Sequence, residues 1–264
     1  QGLSKVCLVM YAMGNIEGRY GMNMGDNAKD EVAGNAVFSS TWGYQAGAAM
    51  PQLFVFKEYC QRYGKDVDGL APFAINQRRN GLMVPWGFYT NHEAYQITEE
   101  DYLGARYIEE PLRILDADRP VNSACVFIVT TAERARTMKQ KPIYVLNHNQ
   151  NAFRPRSTMT TLEETQEATD GLARMMWEGS GLGPKDVDVF NPYDGYLQFT
   201  QEMLEGFQWH GVKHGDALDF YADDIRVEGP HPFNSSGGNN GTGRTRYSLF
   251  TDAIEQLRGT AGKR

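Results

Sequence analysis

Two short stretches concentrate residues that could move protons. "NPYDGY" at 191–196 brings Tyr193, Asp194 and Tyr196 together, and "GRTRY" at 243–247 sets Arg244 and Arg246 directly before Tyr247. A tyrosine acts as acid or base only where its neighbours bring its pKa toward the working pH, and adjacent arginines would favour the phenolate. The chain holds 14 tyrosines, so any one alone reads as a packing residue whose hydroxyl finds a partner; their gathering in two places singles these out. Just upstream of the second cluster, "NSSGGNNGTG" carries Gly237, Gly238, Gly241 and Gly243. Glycines there would let main-chain amides approach a negatively charged or polarised oxygen at a helix start. No Gly-Lys-Ser/Thr occurs, and these glycines do not follow a strand as a dinucleotide fingerprint requires. A bare linker is the competing reading, opposed by the apolar "HPF" before the glycines and the helical pattern after them.

Other chemistry is poorly supported. Of the five histidines, His210 and His214 alone have i, i+4 spacing, and Gly211 and Gly215 break the helix that a metal pair would need. No metal site is expected. Cys7, Cys60 and Cys125 are odd in number and widely separated, without a CxxC pair, which points to neither a disulfide framework nor a zinc knuckle and to a reducing cytoplasm. A formal net charge of -7 argues against nucleic acid, whose binding needs basic surface. The longest apolar run, "VCLVMYAMG", is too short to span a bilayer, so no membrane association is expected.

The elements that must position these residues read as α/β. With 264 residues and 41% hydrophobic content, the chain can bury a large core. "KVCLVMYAMG" predicts a strand over 5–12 buried on both faces, and "SACVFIVTT" and "KPIYVLNHN" predict strands over 123–130 and 142–148, with His148 at the end of the last. Residues 43–64 read as a helix interrupted near Pro51 and closed by Gly64. Thr161 and Glu164 form a capping box before a helix with Ala168, Leu172, Met175 and Met176 on its apolar face. A strand over 186–190 then ends at the polar "NPYDGY" tip, and the glycine stretch forms a second tip before a helix striped by Tyr247, Phe250, Ile254 and Leu257. Strand tips that lead into helices are where α/β folds place ligands.

Three segments carry a family resemblance: "DADRPVNSACVFIVTTAERARTM", "DVDVFNPYDGYLQFTQEMLEGFQW" and "NSSGGNNGTGRTRYSLFTDAIEQLRG". In this order they resemble thiolase-like proteins of the sterol-carrier-protein-x type, and among these the acyl-CoA retro-aldolases that cleave steroid side chains. The resemblance covers nearly all of the chain. It implies a thiolase-like fold with two mixed β-sheets and helices layered between and around them, lacking parts of both termini. Residues 1–140 would be the remainder of the N-terminal half, with a loop excursion at 15–120, and 141–264 the C-terminal half. A degradative thiolase has Gly-His-Pro where this chain has Gly243-Arg244-Thr245, and the sterol-carrier type has His-Asp where it has Tyr193-Asp194. No cysteine matches the thiolase nucleophile.

The resemblance therefore implies a carbon–carbon lyase acting on a β-hydroxyacyl-CoA, a steroid side-chain thioester, by tyrosine acid/base chemistry. Tyr193, Tyr196, Asp194 and Tyr247 are the candidate catalytic residues. Gly237, Gly238, Gly241, Gly243, Arg244, Arg246 and His148 are the candidate substrate-binding residues, the glycine amides as oxyanion donors. Coenzyme A enters as part of the substrate, with no tightly bound cofactor. A homodimer and a small zinc-ribbon/OB-fold partner protein are implied too. Two alternatives stay open: a thiolase-type acyltransferase, which needs a cysteine upstream of Gln1, and a thiolase-like subunit that binds acyl-CoA without chemistry.

Overall fold

A computed structural model of the chain describes residues 4–14, 50–149 and 161–264. Much of the excursion expected over 15–120 falls at 15–49, outside the described residues. Strand β1 (Val6–Met13) pairs antiparallel with β4 (Ser123–Thr130), Leu8 facing Ile128 and Met10 facing Val126, while β2 (Tyr107–Glu109) and β3 (Leu112–Arg113) form a second antiparallel pair. The helices are α1 (Met50–Tyr63), α2 (Ala71–Gly81), α3 (Phe88–His92), α4 (Glu99–Leu103), α5 (Ala132–Arg136), α6 (Leu162–Ser180), α7 (Thr200–Phe207), α8 (Ala217–Ala222), α9 (Gly238–Thr242) and α10 (Ser248–Arg258). None of the described helices is long and apolar enough to cross a membrane.

Local chemistry explains most of these boundaries. Pro51 sits in the first described turn of α1, where its missing N–H costs nothing, and the part of the expected 43–64 helix before it lies outside the described residues. Gly64, at φ 64°, follows the helix. At α6, the Thr161 hydroxyl accepts from Glu164 N at 3.2 Å and the Glu164 carboxylate accepts from Thr161 N, and Gly181 at φ 72° ends the helix. The buried face of α6 is Leu162, Thr165, Ala168, Thr169, Gly171 and Ala173, with Leu172, Met175 and Met176 half-buried beside it.

Four expectations change. The β1 strand is present but is not buried on both faces: Leu8, Met10, Val126 and Ile128 are exposed, because β1 and β4 pair only with each other among the described residues. Residues 142–148 form no strand; none of the described residues pairs with them, and Asn147 instead donates to the Met175 and Met176 carbonyls at the end of α6. Residues 186–190 are likewise not a strand, apart from a parallel bridge between Phe190 and Phe233. On α10, Phe250 and Leu257 are exposed, and the helix buries Ser248, Leu249 and Asp252 instead. Asp252 turns that face inward: it accepts from Ser235 Oγ at 2.5 Å, Asn191 Nδ2 at 2.9 Å and Arg264 Nη1 at 2.6 Å.

An aromatic core lies beneath both tips. Phe73 stacks on Tyr221 at 4.5 Å, and Phe233 lies 5.3 Å from Phe73 and 5.9 Å from Trp209, all four rings fully buried. Such rings each bury roughly 150–250 Å² and dominate core energetics. Phe233 directly precedes Asn234, so the glycine loop starts from a fully packed point of the molecule.

A buried carboxylate ties this core to the surface. Glu205 on α7 accepts from Tyr59 Oη at 2.6 Å and from the amides of Gly215 and Ala217 at 3.0 Å each, with His214 Nδ1 3.5 Å away. His214 Nε2 lies 3.1 Å from Asp170. The carboxylates of Glu205 and Asp170 on either side of the ring together raise the His214 pKa to about 9, so folding favours its cation. That stabilisation is complete below the ordinary histidine range and disappears as pH rises through about 9. Thermal melts should therefore fall between neutral pH and about pH 9.5, and His214→Gln should flatten that dependence. An unchanged slope in the variant would place the transition elsewhere.

Candidate active site

The first tip is held by its own backbone and by a distant segment. Ala117 and Tyr196 form an antiparallel bridge, and Asp118 N donates to Gly195 O at 3.0 Å. The phenol of Tyr193 folds back over Gly195 so closely that a Cβ there would lie 2.1 Å from its hydroxyl oxygen, which explains the glycine. Both the Tyr193 and Tyr196 rings lie 5.9 Å from Phe199.

The second tip is an entirely buried turn. Asn234 N donates to Phe190 O at 3.1 Å, Gly237 and Gly238 adopt φ of 76° and 58°, and α9 follows at once. Asp194, fully buried, joins the two tips. Its carboxylate accepts from Asn239 N at 2.7 Å, Asn239 Nδ2 at 3.1 Å, Asn240 N at 3.0 Å and Gln77 Nε2 at 2.6 Å. Burial pushes the Asp194 carboxyl up to about 6 against the pull of these donors, so it is a carboxylate at neutral pH.

The glycine turn differs in one respect from expectation. The amides from 237 to 241 are occupied within the protein: those of 239 and 240 by Asp194, Gly237 N by Asn234 O at 2.7 Å, Gly238 N by Ser236 Oγ at 3.3 Å and Gly241 N by Gly237 O at 2.7 Å. The glycines instead let α9 lie main chain against main chain on α2. A Cβ at Gly237 or Gly241 would meet Gln77 O at 2.1 Å, and one at Gly81 would meet Gly241 O at 2.0 Å. A Cβ at Gly243 would meet Val121 Cγ1 at 2.7 Å.

Beyond α9, Arg244 N donates to Arg119 O at 2.8 Å, and the largely buried Arg244 side chain reaches to 4.0 Å from Asp118. Arg246 is exposed, with φ 60°, and its amide donates to Asn239 Oδ1 at 2.7 Å. The Tyr247 ring packs on Tyr11 at 4.9 Å and Phe127 at 5.3 Å, so the β1–β4 ribbon positions it.

The electrostatics run against one further expectation. Burial pushes Tyr193 up to about 12, with Asp118 and Asp194 adding to the rise and Arg244 and Arg246 opposing it. Tyr196 is raised by burial and Asp118, against Arg244. The arginines are present but do not win, because desolvation of a phenolate outweighs them. His148 is exposed on the unpaired stretch before 150–160, and its amide donates to its neighbour Asn147, so it does not end a buried strand. Cys60 is buried and its thiol is pushed up to about 12, which suits packing rather than attack.

Two residues of this site were not legible in sequence. Gln77 lies in a helix that also buries Asn76, Arg78 and Asn80, and so many polar residues in one helix interior were a usable signal. Asp118, in "DADRP", carried none.

Residues 148–264 match the thiolase C-terminal domain-like family. The chain also superposes on a solved structure of an Ltp2-ChsH2(DUF35) aldolase with a TM-score of 0.75 at 22% identity, covering 97% of this chain and 65% of that one. The fold is thiolase-like. Over 256 residues the chain is 29% identical to a 17-hydroxy-3-oxo-4-pregnene-20-carboxyl-CoA lyase of Mycobacterium tuberculosis, covering 92% of this chain and 64% of the relative. It is 26% identical to a steroid side-chain-cleaving aldolase of Thermomonospora curvata, covering 98% and 67%. This thiolase-like chain thus spans about two thirds of the length of these relatives.

Gly238→Ala should push a methyl group to 2.1 Å from Asp194 Oδ2 at a positive φ, lowering the melting temperature together with any activity. Asp194→Asn sets an amide donor against donors and should cost about 1–3 kcal/mol of stability in chemical denaturation. Gly14→Ala, with no atom of the described residues within 4 Å, should be neutral. Equal stability for all three variants would mean that the Asp194 clasp holds nothing together.

Proposed function

We propose that the protein to which this chain belongs is an acyl-CoA lyase that cleaves a β-hydroxyacyl-CoA by retro-aldol chemistry, with a steroid side-chain thioester as substrate. The observation that carries this reading is the joining of the tyrosine tip to the glycine turn by the buried Asp194, with Asn239 of that turn accepting from Arg246 N, on a thiolase-like fold. The names of the two curated relatives support the same reaction class.

Retro-aldol cleavage requires a base for the β-hydroxyl proton, a developing carbonyl, and a proton for the departing α-carbon. A covalent cysteine is not part of it. In this proposal Tyr247 and one of Tyr193 and Tyr196 form the proton-transfer pair. Asp194 serves by holding the turn rather than by touching substrate, since four donors surround it. Gly237, Gly238, Gly241 and Gly243 provide the close packing that brings the second tip to the first. Exposed Arg246 is the cation offered to coenzyme A phosphates, with Arg244 behind it. A homodimer and a zinc-ribbon/OB-fold partner belong to the same proposal; the structural neighbour, whose name pairs its aldolase with a DUF35 component, supports the second.

Tyr193→Phe and Tyr247→Phe in the full protein should fold normally yet lose about 100-fold to 10,000-fold in turnover. The assay substrate is 17-hydroxy-3-oxo-4-pregnene-20-carboxyl-CoA, the thioester in the relative's name, and release of the shortened acyl-CoA is measured. Near-normal rates with a melting point a few degrees lower would return both tyrosines to the core.

A further inference from the structure

The segment that clasps both tips also brings a buried acid to them. Residues 112–119 are fixed by Asp116, which accepts from Tyr102 Oη at 2.6 Å and from Arg113 N at 2.7 Å, and by Asn240 Nδ2 donating to Leu115 O at 2.9 Å. Three main-chain links follow in order: the Ala117–Tyr196 bridge, Asp118 N to Gly195 O, and Arg244 N to Arg119 O. Asp118 is thereby enclosed between the tyrosine tip and Arg244, with its side chain 1% exposed.

We propose that Asp118 is a positioning residue of this site: its buried carboxylate, tied by its own main chain to the tip of Tyr193 and Tyr196 and 4.0 Å from Arg244, reinforces burial in holding the tip as the proton donor. This rests on the lyase reading above. The charged groups acting on Tyr193 are Asp118, Asp194, Arg244 and Arg246, and on Tyr196 Asp118 and Arg244. In the cleavage step the base removes the β-hydroxyl proton, the oxygen's electron pair forms the carbonyl, and the Cα–Cβ pair passes to the thioester enolate. A phenol of the tip then protonates Cα, and the proton held by the base restores that phenol. The enolate carbon is far more basic than a phenolate, so a donor held firmly in its protonated form still delivers. A neighbouring carboxylate discourages premature ionisation, and for that purpose its charge matters rather than its shape.

The test follows tyrosinate absorbance against pH in the full protein, with circular dichroism reporting the fold. At about pH 10, where ordinary tyrosines titrate, Tyr193→Phe/Tyr196→Phe should remove no tyrosinate signal from the otherwise wild-type protein. Asp118→Asn should bring in the tip's tyrosinate signal at a lower pH than in wild type; the displaced signal should vanish in the triple variant Asp118→Asn/Tyr193→Phe/Tyr196→Phe, and Asp118→Glu should restore the wild-type curve. In parallel, turnover by Asp118→Asn on the same thioester should fall about tenfold on the alkaline side for each unit by which the donor's pKa drops. An Asp118→Asn titration identical to wild type overturns the proposal. A signal lost at about pH 10 in Tyr193→Phe/Tyr196→Phe relative to wild type overturns it as well. Should the tyrosine variants keep full turnover, the assignment of proton transfer to these tyrosines falls, while the titration still reports whether Asp118 governs their protonation.

Discussion

A carboxylate without solvent contact must find its hydrogen bonds inside the protein, and Asp194 finds four, from two separate places in the chain. The cost of leaving such a charge unpaired is several kcal/mol, so its donors cannot drift independently. Gln77 on α2, the start of α9 and the tyrosine tip are consequently fixed as one body. Its negative charge also sits at the N-terminal end of α9, where the main-chain amides of Asn239 and Asn240 point at it.

The aromatic core and the glycines are the conditions under which that clasp can form. Phe233 is held among Phe73, Trp209 and Tyr221, and the turn leaves it with Asn234 at φ 46° and two glycines in the left-handed region. Only residues without a Cβ allow α9 to reach α2 at main-chain contact distance. The result is a loop that is rich in glycine yet buried from Asn234 to Gly243, the opposite of a linker. Tyr247, beyond it, then meets Tyr11 and Phe127 of the ribbon.

Charge around the tyrosine tip follows from which elements are brought near it. The arginines adjacent in sequence to Tyr247 reach Tyr193 through space, but the buried Asp118 arrives with them from a segment more than 70 residues away in sequence from Tyr193. Burial adds to its effect, because a phenolate loses more solvation than a phenol. The tip is therefore a place for protonated tyrosines.

The sequence by itself determined the local features whose causes lie within a few residues. These were the capping box at Thr161 and Glu164, the glycine stop at Gly64, the strands at 6–13 and 123–130, and the two clusters of tyrosine, arginine and glycine. Motif order pointed to the thiolase-like fold, since the segments around both tips keep their spacing. Only the tertiary structure decided that 142–148 and 186–190 are not strands, because a strand exists through its partner and an apolar run does not reveal one. It also decided which face of α10 is buried, where the polar contacts of Asp252 override the apolar stripe. Above all it decided what the glycine amides bind and what surrounds the tyrosines. Hydrogen-bond partners such as Gln77 and Asp194 lie 117 residues apart, and desolvation depends on the whole packed interior rather than on neighbours in the chain.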